Sequence, residues 1–138
     1  MKAGENGKGL LSRWYPEMLA KRIDGLTSVR ERVCFLQDDG IQVMRQNSHR
    51  VDAAFFIDPP YTVAGRRLYA HSEIDHEELF RVAGALSGDF LMRYDNAPQV
   101  QEMAIRHGFD TAVVPMKNTH HAVMGELLIG KNLGWLNP

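Results

Sequence analysis

The sequence predicts an α/β fold: a mostly parallel sheet with an antiparallel last strand. Three observations carry this. Short apolar runs alternate with helix-like segments from about residue 16 to about residue 115, and such alternation builds right-handed βαβ units. The run AAFFI at 53–57 is apolar at every position, as in a strand covered on both faces. The last two runs have only a loop between them, so that pair is expected to be antiparallel. With 138 residues, the chain is long enough for one domain, 1–138, and too short for two ordinary ones.

Residues 1–9 are Gly, Lys and polar residues without periodicity, a flexible lead-in. Its run GENGKG lacks the spacing of a phosphate-binding loop and follows no strand. Pro16 suits the first turn of a helix, and Met18, Leu19, Ile23 and Leu26 recur at near-helical spacing through 16–30. Val33-Cys34-Phe35-Leu36 reads as a first strand, stopped by the turn Asp38-Asp39-Gly40. Ile41, Val43 and Met44 start a short helix. Residues 53–57 form the second strand, broken by Pro59-Pro60, and 62–72 a polar loop. Asp75, with Glu78 three residues on, has capping-box spacing before the stripe Leu79, Val82, Ala83 and Leu86. Phe90-Leu91-Met92 with Tyr94 reads as a third strand. A helix runs from Pro98 to about His107 and stops at Gly108. Ala112-Val113-Val114 and Glu126-Leu127-Leu128-Ile129 are the fourth and fifth strands, with a loop at 117–122 between them.

The single cysteine, Cys34, excludes an internal disulfide framework and a cysteine-built zinc site. The six histidines lack metal-ligand spacing, and no metal is expected. No apolar run approaches a membrane span and no signal peptide is evident, so the expected location is cytoplasmic, with no membrane partner. The net charge of −1 conceals an asymmetry. Residues 1–50 carry nine Lys or Arg against six Asp or Glu, and residues 51–138 carry seven against eleven. A mildly basic first third can touch phosphates or form an ordinary solvated surface.

The sharpest chemical feature is Asp58-Pro59-Pro60-Tyr61, directly after Phe55-Phe56-Ile57. Ligands of open α/β sheets bind at the carboxyl ends of strands. Two prolines fix two φ angles and remove two backbone donors, which stiffens the Pro59 carbonyl. A carboxylate and a fixed carbonyl side by side form a pair of acceptors, matched by a planar amino group with two hydrogens. Tyr61 adds a flat stacking face. Together they suit a flipped-out base with an exocyclic amine.

DPPY after a hydrophobic strand resembles the signature of S-adenosylmethionine-dependent amino-group methyltransferases. The wider context resembles the D12-class DNA adenine methylase family: FFIDPPYTVAGRRLY, DHEELF, GDFLMRYDN, MKNTHH and ELLIG, over roughly residues 10–135. The resemblance implies a partial Rossmann-like methyltransferase fold and adenine-specific, site-specific methylation of double-stranded DNA, with S-adenosylmethionine as cofactor. It implies that the enzyme extrudes an adenine, that Asp58 and the Pro59 carbonyl accept from its amino group, and that Pro60 and Tyr61 complete the catalytic corner. Asp38, Asp39 and Asp58 are implied cofactor contacts. Arg66, Arg67, Tyr94, Asn96, Lys117 and Asn118 are implied DNA contacts.

A complete member of this family carries a glycine-rich FxGxG loop after a first strand. This sequence has no such motif. Two readings follow. One is a methyltransferase whose catalytic loop is intact and whose cofactor pocket is partial. The other is a non-catalytic remnant or complementing DNA-binding subunit. Missing central strands expose an apolar sheet edge, so self-association or pairing with a complementing chain is expected. RNA or a protein amide as methyl acceptor fits less well, because Asp rather than Asn stands at position 58.

Overall fold

Two prolines set the starts of two helices, at the position where a missing amide costs nothing. In the computed structural model, residues 15–61, 74–117 and 123–136 are described. The chain divides into two compact units, Met1–Gln37 and Asp38–Pro138.

In the first unit, helix α1 spans Pro16–Leu26 with Pro16 in its first turn, and a 3-10 segment follows over Thr27–Arg32. Met18, Leu19, Ile23 and Leu26 are exposed. The expected first strand at 33–36 is not a strand: these residues are irregular, and Phe35 is 85% exposed. A four-residue apolar run becomes a strand only when a neighbour pairs its backbone, and none of the described strands does so.

The second unit begins with helix α2 (Gly40–Gln46), capped by the Asp39 carboxylate, which accepts from the Gln42 amide at 3.0 Å. Strand β1 (Ala54–Ile57) follows, then helix α3 (His76–Gly84) and strand β2 (Asp89–Asp95). Helix α4 (Pro98–Arg106), strand β3 (Asp110–Lys117) and strand β4 (Val123–Gly130) complete the sheet. A short 3-10 turn, Gly134–Leu136, comes last. Asp75 caps α3 as its spacing predicts, accepting from the Glu78 amide at 2.9 Å. The Glu78 carboxylate binds Arg45 of α2 and Arg81 of α3, stitching those two helices together. Gly108 ends α4 with a left-handed φ of +69°, the conformation a glycine adopts without strain.

The strand order is β1-β2-β4-β3. Only β1 and β2 pair in parallel; β4 runs antiparallel to both of its neighbours. The expected mostly parallel sheet is therefore corrected to an open mixed α/β sheet whose pairings are mostly antiparallel. The reason is topological. β1, β2 and β3 point the same way, but β4 returns between β2 and β3 and converts both of its ladders to antiparallel. The expected antiparallel pairing of the last two strands is present, from Asp110 opposite Gly130 to Lys117 opposite Val123.

The core lies on one face of this sheet. Phe90, Met92 and Tyr94 of β2 and Leu127 and Ile129 of β4 pack against Leu79, Phe80, Val82 and Ala83 of α3 and Val100, Met103 and Ala104 of α4. Phe80, Met92 and Tyr94 are each fully buried, and each contributes roughly 1.5–3 kcal/mol of apolar burial. Phe55 and Ile57 lean on this core from β1. The alternate residues of β1 do not: Phe56 is 66% exposed. The expectation that β1 is covered on both faces is thus also corrected, since Phe56 on the second face stays largely exposed.

The sheet has two unlike edges. Pro115 sits inside β3, which is tolerated because β3 is an edge strand and its outer side makes no ladder bonds. At the opposite edge, among the described strands β1 is bonded to β2 alone, and it carries no proline or charge. Where β1 and β2 begin, Gly88 lets the two backbones close up. A Cβ there meets the Ala53 carbonyl oxygen at 2.1 Å, while the Asp89 amide donates to that same oxygen at 3.1 Å.

Candidate active site

The parallel register ends with Ile57 opposite Met92. The chain then leaves β1 through Asp58, Pro59, Pro60 and Tyr61, at the carboxyl end of the strand. Because β4 is antiparallel, its early residues lie at this same rim, with Glu126 opposite Asp95 at the end of β2. Asp58 is exposed, Pro59 is buried, and Pro60 and Tyr61 are half-buried. The corner is thus anchored by a proline and presents its carboxylate outward.

Behind it sits an ion pair. Arg93 Nη2 donates to Glu126 Oε1 at 2.8 Å, and Arg93 Nε lies 2.6 Å from Oε2 without aligning its N–H as a hydrogen bond. Arg93 pairs in register with Leu128, so Glu126 is its diagonal neighbour on the same face, within reach of long side chains. The Tyr61 hydroxyl makes a long contact, 3.4 Å, to the same Glu126 Oε1. Burial raises the Tyr61 hydroxyl above its ordinary value, the Glu126 and Asp58 charges add to that rise, and Arg93 opposes it. The Arg93 guanidinium is held still more firmly protonated, chiefly by its hydrogen bond to Glu126. Asp58, Tyr61, Arg93 and Glu126 therefore form one electrostatically connected group.

The other candidate residues are more dispersed. Tyr94, at the carboxyl end of β2, turns into the core. It is fully buried, and its hydroxyl lies 2.8 Å from His76 Nδ1; burial raises its pKa. It packs the fold and offers no surface to DNA, which corrects its expected role as a DNA contact. The alternation of β2 decides this, since Phe90, Met92 and Tyr94 share the inner face. Asn96 is exposed just past the strand, and its Oδ1 accepts from Gln101 Nε2 at 2.5 Å. Lys117 ends β3 on the same rim. Arg66, Arg67 and Asn118 lie outside the described residues.

Asp38 and Asp39 are exposed, and both are used locally. Asp38 Oδ1 accepts from the Asp39 amide at 2.8 Å, while Asp39 caps α2. Neither joins a cradle for an adenosine, and no glycine-rich loop follows a described strand. The described residues therefore do not assemble a cradle for S-adenosylmethionine. A groove of about 610 Å³, lined by Phe56, Asp89, Leu91, Lys131 and Trp135 among others, lies at the other end of β1 and β2. Its Lys131 is occupied by backbone, donating to the Gly88 carbonyl at 2.9 Å and to that of Leu86. Among the described residues no group of three His, Cys, Asp or Glu side chains is placed to hold a metal, and no helix is long and apolar enough to cross a membrane.

Sequence reasoning did not assign Arg93 and Glu126 to the site. Their signal was present: each is a charge set against an apolar run, FLMRY and ELLIG. No protein-family model matches the chain, and no curated protein matches it.

Proposed function

We propose that this chain holds a flipped adenine for methylation of its exocyclic amino group, as the base-binding part of a DNA adenine methyltransferase with a Rossmann-like sheet. The supporting observation is the Asp58–Tyr61 corner, which stands at the carboxyl rim of β1 with Asp58 exposed and Tyr61 beside it. In this reading the two amino hydrogens of the base are donated to the Asp58 carboxylate and the Pro59 carbonyl. These bonds draw the nitrogen lone pair out of the ring and toward the incoming methyl group, and Tyr61 holds the ring plane. As the nitrogen becomes positively charged, the Asp58 carboxylate stabilises it and takes up the proton it sheds. Catalysis by such a site is positioning plus electrostatics.

The cofactor half is then supplied by a segment that carries a glycine-rich loop, on this protein or on a complementing chain. Pairing along the β1 edge is the proposed route, with double-stranded DNA as the substrate. Asp58→Ala should reduce transfer of tritiated methyl from S-adenosylmethionine to unmethylated DNA by about a hundredfold or more, with an unchanged circular dichroism spectrum. Full activity in that variant refutes the role of Asp58.

That the described residues form no cofactor cradle favours one second reading, a non-catalytic complementing DNA-binding subunit. Calorimetric titration with deoxyadenosine separates the two, because only the first predicts binding of the base that is lost in Asp58→Ala.

A further inference from the structure

Resting on the base-holding reading above, we infer that Arg93 and Glu126 are positioning residues that lock the Tyr61 ring in its stacking plane and leave Asp58 free to accept from the base. A stacking ring is useful only if its plane is set beforehand. Ordering a free side chain on binding costs roughly 0.5–1.5 kcal/mol. Tyr61 follows two prolines and lies beyond the end of β1 at Ile57, so its ring is not held by strand pairing. Its hydroxyl instead reaches Glu126 Oε1 at 3.4 Å, across 65 residues of sequence. A contact that long does not hold a ring alone. The carboxylate it meets, however, is held by Arg93 through a 2.8 Å hydrogen bond to Oε1 and a 2.6 Å ion-pair contact to Oε2.

The placement of the pair is itself informative. The Arg93 and Glu126 side chains are only 33% and 16% exposed, on a sheet face that also carries Ala54, Phe56, Leu91 and Leu128. A partly buried ion pair commonly adds no more stability than apolar residues of like size, so fold stability does not explain two charges here. Their position relative to Asp58 does. Asp58 acts electrostatically on both Tyr61 and Arg93. A lone Arg93 competes with the base for the Asp58 carboxylate, and Glu126 takes up that positive charge. The pair thus orients one base contact and keeps the other available.

The test uses the full chain labelled with [13Cζ]tyrosine, in wild-type, Glu126→Gln, Arg93→Met, Asp58→Ala and Tyr61→Phe forms. The Tyr61 resonance, assigned by its loss in Tyr61→Phe, should titrate above the ordinary tyrosine value of about 10. Glu126→Gln should move it down and Arg93→Met should move it up, because the two charges act in opposite senses. The buried Tyr94 serves as an internal control that the core is intact.

The same proteins are titrated with formycin A, a fluorescent adenosine isostere that keeps the exocyclic amine at adenine's position and whose emission is quenched on stacking. Glu126→Gln and Tyr61→Phe should bind it about threefold to tenfold more weakly, the worth of one hydrogen bond. An unmoved Tyr61 titration in Glu126→Gln overturns the coupling. Unchanged formycin A affinity in Glu126→Gln alongside a loss in Asp58→Ala overturns the positioning role while the base-holding reading stands. No quenching by the wild-type protein overturns the base-holding reading, and the positioning role falls with it.

Discussion

Replacing Gly88 with alanine tests how β1, and with it the Asp58–Tyr61 corner, is held. The added Cβ meets the Ala53 carbonyl oxygen at 2.1 Å and the Arg50 carbonyl oxygen at 2.7 Å, both backbone atoms. Restoring even 3.0 Å to the first contact requires the segments to separate by about 0.9 Å. That stretches the 3.1 Å bond from the Asp89 amide to the same Ala53 oxygen beyond hydrogen-bonding range. Losing that bond costs about 1 kcal/mol, and the steric strain adds roughly 1–3 kcal/mol. With a urea m-value near 1.5 kcal/mol/M, the denaturation midpoint should fall by about 1.3–2.7 M. Because β1 is bonded only to β2, the displacement should also loosen the corner, visible as faster amide exchange in β1 than in β4. A midpoint within about 0.2 M of wild type, with protection in β1 retained, refutes this reasoning.

Asp75→Ala removes the cap of α3 and should lower stability by about 1 kcal/mol in the same urea assay; Asp75→Asn should recover most of it. The open β1 edge predicts concentration-dependent association in sedimentation velocity, and a stable monomer with sharp cooperative unfolding contradicts it. Phe56→Lys should suppress that association while changing stability by less than about 0.5 kcal/mol, since the side chain is 66% exposed.

Elements whose signals are local were legible in the sequence. Pro16, Pro98, Asp75 and Gly108 mark helix ends through their own chemistry, and each sits at the terminus it marks. The runs at 53–57, 90–94, 112–114 and 126–129 became β1 to β4. Long-range pairing was not legible. No residue in ELLIG encodes that β4 inserts between β2 and β3, and this one placement sets the balance of parallel and antiparallel ladders. The run at 33–36 has the composition of a strand, but composition cannot supply a partner. AAFFI reads as buried on both faces because apolarity records what a strand can bury, not what lies over it. Within the candidate site, the stiff corner was readable because prolines act on their own backbone. The diagonal approach of Arg93 to Glu126, 33 residues apart in the chain, depends on strand register.

The two margins of the sheet are chemically unequal, and this limits what assembly through them can become. Pro115 withdraws a donor from the outer strand β3, so that side is a poor template for further chains. Strand β1 itself carries no such guard among its described residues. Of the two described sheet edges, the first partner to add along β1 consumes the receptive one, so a ribbon built edge to edge does not propagate. Edge-to-edge growth should therefore terminate at a discrete pair rather than continue into a fibre.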